Sequence, residues 1–285
     1  MGVECARRDA AARLLFEEAS SILNFDLFNL LLKGPQEKLN ETQIAQPALL
    51  TASVALFTSW KRAHNVEIDC CAGLSLGEYS ALCCSGVLSF AAAVELTAKR
   101  GALMQQAAAA NPGEMYAILG LSQQQTEAVC AAAAAAARSS SRKEGGVYCG
   151  VANYLCPGNY AVSVSRSAAA ALQQAAAAAA AKRCVRLQVS GAFHSPLMAP
   201  AAAGLAAAIA AADFQTPQTP VLLNVDAQIH TNPQVIKQKL IQQWQQSMEL
   251  LGRLGMEESF EFGPGGILSK LNSKINPHVR TVRVE

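Results

Sequence analysis

The 285-residue sequence predicts an α/β protein in which a smaller unit is inserted into a larger domain. Short apolar, β-branched runs alternate with longer amphipathic or alanine-rich runs, the pattern of strands separated by helices. From about residue 113 to 189 the order strand, helix, hairpin, helix, strand is that of a ferredoxin-like unit. Upstream of it, Gly73-Leu74-Ser75-Leu76-Gly77 forms a G-x-S-x-G pattern where an apolar run gives way to a helical one.

The elements are expected in this order. Helices fill residues 6–32 and 45–64. The strand VEIDCCAG ends at the serine turn, a helix follows from Gly77, and another runs through Arg100 to Ala109. YAILGL reads as a strand and precedes an alanine helix, because alanine carries the highest helix propensity. GVYCGVANYLCPGNYAVSVS reads as a hairpin with Pro157-Gly158 at its turn. A second alanine helix leads to the strand CVRLQVS, and the larger domain resumes at Gly191. There follow a helix over 200–212, the strand PVLLNV, a helix over 233–251, the strand SFEFGPG and a short last helix. The expected domains are therefore 1–112 with 190–285, and 113–189.

Composition narrows the function classes. A chain 51% hydrophobic supports a large core, and a net charge of +2 implies no polyanionic partner. The basic clusters Lys61-Arg62, Lys182-Arg183 and Arg280 to Arg283 read as solvated surface, so no nucleic-acid binding is expected. The nine cysteines include the adjacent pairs Cys70-Cys71 and Cys83-Cys84 and no C-x-x-C. Adjacent strand residues face opposite ways and are poor disulfide partners, so buried free thiols in a reducing compartment are expected. No Cys/His cluster has zinc spacing, and no metal site is expected. The apolar stretch near 81–98 contains Glu95 and much alanine and serine, which argues for a core helix and against a membrane span.

Ser75 has two readings. A nucleophile elbow puts serine between a buried strand and a helix, with flanking glycines that let the chains approach and a helix N-terminus that offers N–H groups to an oxyanion. The plainer reading is a turn serine between glycines. A serine nucleophile needs a base, and the four histidines are His64, His194, His230 and His278. His194, in VSGAFHSPLM, follows a predicted strand, and strand-end loops gather the sites of open α/β sheets. His64 and His230 sit in polar segments and His278 near the end, which suggests surface. No aspartate occurs between Leu76 and Phe193, so a carbonyl is expected to orient His194 in a Ser–His dyad. Arg100, in LTAKRGALMQQ, either snorkels to solvent or faces a pocket where it pairs with a carboxylate.

Six blocks carry a family resemblance: QPALLTASVALF (46–57), GLSLGEYSAL (73–82), KRGALMQQA (99–107), VSGAFHSPLM (189–198), NVDAQIHTN (224–232) and EFGPGGILSKL (261–271). In this order they resemble the malonyl-CoA:acyl-carrier-protein transacylases over nearly the whole chain. The resemblance implies an α/β-hydrolase-like core with an inserted ferredoxin-like subdomain. It implies ping-pong transfer of malonyl from malonyl-CoA to the phosphopantetheine thiol of acyl carrier protein, in fatty acid biosynthesis. By resemblance Ser75 is the nucleophile, His194 the base, Arg100 the partner of the free malonyl carboxylate and the Leu76 N–H an oxyanion donor. Gln243 matches the residue whose main-chain carbonyl orients the histidine, with Gln242 as the neighbour that could replace it. No cofactor or metal is implied, and the partners are malonyl-CoA and acyl carrier protein, with no nucleic acid, no membrane and a monomeric enzyme.

The sequence departs from the family pattern in four places. No F-P-G-Q-G-S-Q loop is present, so an oxyanion donor that such a loop supplies is expected to be missing, with an N-terminally truncated chain and weakened activity. Leu74 stands where histidine is usual. Asn153-Tyr154-Leu155-Cys156-Pro157-Gly158 keeps one asparagine of N-x-N-x-P-G. Gln243 and Trp244 are adjacent where the family has residues between them. The expected location is the cytoplasm or, in a eukaryote, a plastid-type organelle or mitochondrion. Two rival functions remain: a serine hydrolase on a similar fold, and an inactive paralogue that binds carrier protein. Arg100 bears on the first, because a neutral acyl chain gives a buried guanidinium no anion.

Overall fold

The computed structural model describes residues 2–140, 146–242 and 258–285. They divide into two compact units: residues 2–102, 205–242 and 258–285, and residues 103–140 with 146–204.

The first unit opens with helices. The stretch expected to be helical over 6–32 is filled by three helices: α1 (Val3–Arg8), α2 (Ala10–Leu23) and α3 (Leu27–Lys33). Aspartates start the later two. Asp9 accepts from the Ala11 N–H at 2.9 Å and Asp26 from the Asn29 N–H at 2.8 Å, each relieving an orphan helix donor. Asn24, in the left-handed region at φ 59°, ends α2. After α4 (Gln36–Leu39) comes α5 (Thr42–Ala63), which buries Ile44, Ala48, Leu50, Val54 and Leu56. The Trp60 ring meets Phe260 and Phe262.

The expected strand VEIDCCAG shrinks to β1 (Cys71–Ala72). Only that pair gains a ladder partner, and unpaired extended backbone is not a strand. The apolar stretch near 81–98 is two helices, α6 (Leu76–Cys84) and α7 (Phe90–Ala110). No helix among the described residues is long and apolar enough to cross a membrane.

The second unit contains β2 (Gly113–Leu119), α8 (Gln123–Ser140), β3 (Cys149–Cys156), β4 (Asn159–Ser165), α9 (Ala169–Ala178) and β5 (Arg183–Arg186). Its sheet order is β3-β4-β2-β5, antiparallel throughout, which is the ferredoxin-like arrangement. Pro157-Gly158 links β3 and β4 as expected. Ile118, Val162, Val164 and Leu172 form its dry centre with Val129 and Ala133 of the alanine helix.

The chain returns through α10 (Ala199–Ala211) to β6 (Val221–Leu222), β7 (Ile229–His230), α11 (Pro233–Gln242), β8 (Glu258–Phe262), α12 (Ile267–Ile275) and β9 (Arg280–Val284). β6 pairs parallel with β1 and antiparallel with β7. The run Arg280 to Arg283, expected as a charged surface cluster, is a strand parallel to β8. Both arginines stay exposed, as the surface reading expected, and Arg280 pairs with Glu258 at 3.3 Å. Glu261 accepts from the N–H groups of Leu268 and Ser269, both at 2.9 Å, and so caps α12. All nine cysteines are free, and only Cys130 and Cys156 are buried; the other seven are half-buried, not buried as expected.

Candidate active site

Ser75 lies between β1 and α6 with φ 53° and ψ −105°, a backbone region that costs a non-glycine residue roughly 1–3 kcal/mol. Both neighbouring elements enforce it. A Cβ on Gly73 would fall 2.0 Å from the carbonyl of Gly77 and 2.5 Å from the Glu78 nitrogen, so the strand end touches the first turn of the helix. The two glycines are not equivalent, contrary to expectation: a Cβ on Gly77 meets nothing within 4 Å. Gly73 alone makes the close approach possible. Leu76 opens α6, so its N–H has no acceptor one turn earlier in the helix and is suited to an oxyanion.

Arg100 does not snorkel. It is 4% exposed, and its guanidinium reaches the site. Nη2 donates to Ser75 Oγ at 3.0 Å and Nη1 to Gln46 Oε1 at 2.7 Å. A second close approach puts it there. A Cβ on Gly101 would lie 2.6 Å from the Thr42 carbonyl oxygen and 2.7 Å from Gln43 Cα, so α7 rests on the first turn of α5. Gln46, one turn further on, thereby meets Arg100. The Tyr79 ring lies 5.6 Å from the guanidinium carbon. Burial pulls the guanidinium below its ordinary pKa, and Tyr79 and Glu78 oppose that pull. An arginine keeps its proton in such a setting.

Glu78, 1% exposed, is the second buried charge-bearing group. Its Oε1 accepts from the Asn224 N–H at 2.7 Å, and Oε2 has no hydrogen-bond partner among the described residues. Burial pushes its carboxyl up to about 8, against the Asn224 hydrogen bond and the charge of Arg100. Asn224 in turn accepts from the Ser75 N–H at 2.9 Å and donates to the Gly73 carbonyl at 2.6 Å. The neighbouring thiol Cys71 is pushed up to about 12 by burial, so it carries its proton at neutral pH and does not rival Ser75.

His194 belongs to the other unit, on the loop after β5, at φ 54°. Its neighbours are tied down: Ser163 Oγ donates to the Phe193 carbonyl, and Ser195 Oγ donates to the Ala192 carbonyl at 2.5 Å. The remaining histidines stand elsewhere. His64 stacks on Trp60 at 4.9 Å and His278 is exposed. His230, expected at the surface, is half-buried and pairs with Asp226 at 3.0 Å beside Lys239. Gln243 lies outside the described residues, and Gln242 ends α11. Among the described residues no group of three or more His, Cys, Asp or Glu side chains could hold a metal ion.

Sequence reasoning brought Ser75, Leu76 and Arg100 to one place and missed Gln46, Glu78 and Asn224. A signal existed for each: a glutamine opening an apolar helical run, a glutamate one turn after the serine, and an asparagine just past a strand.

The acyl transferase domain family model matches residues 1–248. The malonyl CoA-acyl carrier protein transacylase of Escherichia coli is 41% identical over 266 residues, covering 91% of this chain and 83% of that protein. The Bacillus subtilis protein of the same name is 38% identical over 290 residues, covering 100% and 88%. Among solved structures, the malonyl CoA-acyl carrier protein transacylase of Coxiella burnetii superposes with TM-score 0.90 at 34% identity, over 100% of this chain and 89% of that one. A malonyl-transacylase in complex with a type II PKS acyl-carrier protein gives TM-score 0.89 at 35% identity, over 98% and 89%. The chain belongs to the acyl transferase domain family, among the malonyl CoA-acyl carrier protein transacylases.

Proposed function

We propose that the chain transfers malonyl from malonyl-CoA to the phosphopantetheine thiol of acyl carrier protein through a malonyl ester on Ser75. The observation that carries this reading is the buried Arg100 guanidinium, 3.0 Å from the Ser75 oxygen. A cation fixed beside a nucleophile favours an acyl group that brings its own carboxylate, held by parallel hydrogen bonds. A neutral acyl chain would offer that guanidinium no anion, which weighs against a general hydrolase. The names of the relatives point the same way.

In the first half-reaction Ser75 Oγ attacks the thioester carbonyl and His194 takes its proton. The Leu76 N–H donates to the oxyanion, and coenzyme A leaves as the thiol with the proton returned by His194. In the second half-reaction the carrier thiol gives its proton to His194 and attacks the ester carbonyl; the bond to Ser75 Oγ breaks and His194 returns the proton to that oxygen. The family resemblance assigns the orienting of the imidazole to a main-chain carbonyl at Gln243, which lies outside the described residues, or at Gln242. Bond for bond this closes without a redox group or metal.

Mass spectrometry after incubation with malonyl-CoA tests the reading. One malonyl should appear, on Ser75, and disappear onto carrier protein when that is added; Ser75→Ala should take up none. His194→Ala should slow acylation by about 10²–10⁴-fold, and kcat/KM should rise through an apparent pKa of roughly 6 to 7. Malonyl on another residue would remove Ser75 from its role, and a flat profile with chemistry rate-limiting would remove His194.

A further inference from the structure

The β1–β6 register brings Asn224 level with the serine turn. Cys71 pairs with Val221 and Ala72 with Leu222, so two residues on, Asn224 stands opposite Leu74. There the strands have ended, and the asparagine side chain continues the ladder. Its Nδ2 donates to the Gly73 carbonyl at 2.6 Å and its Oδ1 accepts from the Ser75 N–H at 2.9 Å. One side-chain amide thus pairs with a carbonyl and an N–H on either side of Leu74, as a neighbouring strand would. Aspartate could accept but not donate, and alanine could do neither. The asparagine's own N–H is held by Glu78 Oε1 at 2.7 Å, one turn into the helix that follows Ser75. The loop is closed: strand end, asparagine, glutamate, helix and back to the serine.

We propose that Asn224, held in place by Glu78, is the positioning residue of the nucleophile turn, keeping Ser75 in its strained conformation and so governing the rate of acylation rather than the binding of malonyl-CoA. Binding through Arg100 is served by separate contacts, to Gln46 and Ser75 Oγ. The charged and titratable groups that act on Glu78 are Arg100 from α7, Asp226 from the segment that carries Asn224, and Tyr79 on its own helix. The inference rests on Ser75 being the malonylated residue.

Single-turnover malonylation of the full chain, read by quench and mass spectrometry, tests it. Binding of malonyl-CoA is measured separately in a Ser75→Ala background. Asn224→Ala should slow acylation by about 10- to 100-fold, the scale of a small misplacement of a reacting atom, with Kd changed less than about threefold. Asn224→Asp keeps the volume and the acceptor but not the donor, should lose rate similarly, and decides the matter if the alanine variant does not fold. Glu78→Leu should slow the same step, and Glu78→Gln, which retains an oxygen acceptor, should recover about tenfold of that loss. Acylation within threefold of the parent in both Asn224 variants would overturn the inference, as would a rate loss matched by an equal loss of binding. Absence of malonyl-Ser75 in the parent would overturn the functional reading as well, so the two failures are told apart.

Discussion

Arg100 ties Gln46 to the serine proposed as nucleophile. Its two terminal nitrogens are divided, one on Gln46 and one on Ser75 Oγ, at 2.7 and 3.0 Å. On the function proposed above, an arriving malonyl carboxylate would compete for the second donor and release the serine oxygen. Arg100→Ala should therefore lower kcat/KM for malonyl-CoA by about 10²–10³-fold, the few kcal/mol of a buried charge pair broken on one side, while sparing acetyl-CoA. Arg100→Lys should rescue little, since a lysine's point charge does not reproduce the fork. Initial rates on the two thioesters decide it, and equal losses on both would make Arg100 structural. The residue was legible in sequence as an arginine in an alanine-rich helix. Its direction was not, because helix periodicity says which face a residue occupies and not what opposes that face. Gln46 opposes it from 54 positions away, and Gly101, the next residue in the same helix, lets the two helices come that close.

Among the elements, the strand–turn–helix at Ser75 depends on the approach of β1 to α6. Gly73→Ala would push a Cβ into backbone at 2.0 Å, where no flexible side chain can yield. We expect a loss of about 1–3 kcal/mol or more and a thermal midpoint lower by several degrees. Gly77→Ala points into open space from a helical position, so it should be neutral or stabilising by up to about 1 kcal/mol. Thermal melts of the two variants test the asymmetry, and equal effects would contradict it. The G-x-S-x-G pattern suggests two equivalent glycines; the contact geometry separates them. Elsewhere the alanine runs gave helices as expected, since propensity is local. Aspartate caps divide the N-terminal helical stretch, and β9 carries its arginines exposed as the sequence suggested, while its pairing with β8 was not legible because a strand's partner lies elsewhere in the chain.

At the scale of the whole molecule, the buried Glu78 links stability to pH. Its carboxyl is held up to about 8 when folded, against an ordinary value of 4.5. Between these values the folded chain keeps a proton that the unfolded chain has released. The contribution is fully present below pH 4.5 and is lost as pH rises through about 8, by at most about 1.4 kcal/mol per pH unit. Denaturant unfolding at pH 5, 7 and 8.5 should show that decline in the parent and a flatter one in Glu78→Gln; parallel curves would mean that Glu78 is already ionised. The sequence by itself determined the α/β class, the ferredoxin-like order, the turn that holds Ser75 and the family, because these follow from local period, turn chemistry and linear motifs. Only the tertiary structure decided that Arg100 turns inward, that Gly73 and not Gly77 is sterically required, and that Glu78 and Asn224 brace the turn. The first and last depend on contacts between segments far apart in the chain, 54 residues for Arg100 and Gln46 and up to 151 for Asn224 and Gly73, and such distances leave no mark in a local pattern; the glycine asymmetry is local but depends on the direction each Cβ would take in the folded turn.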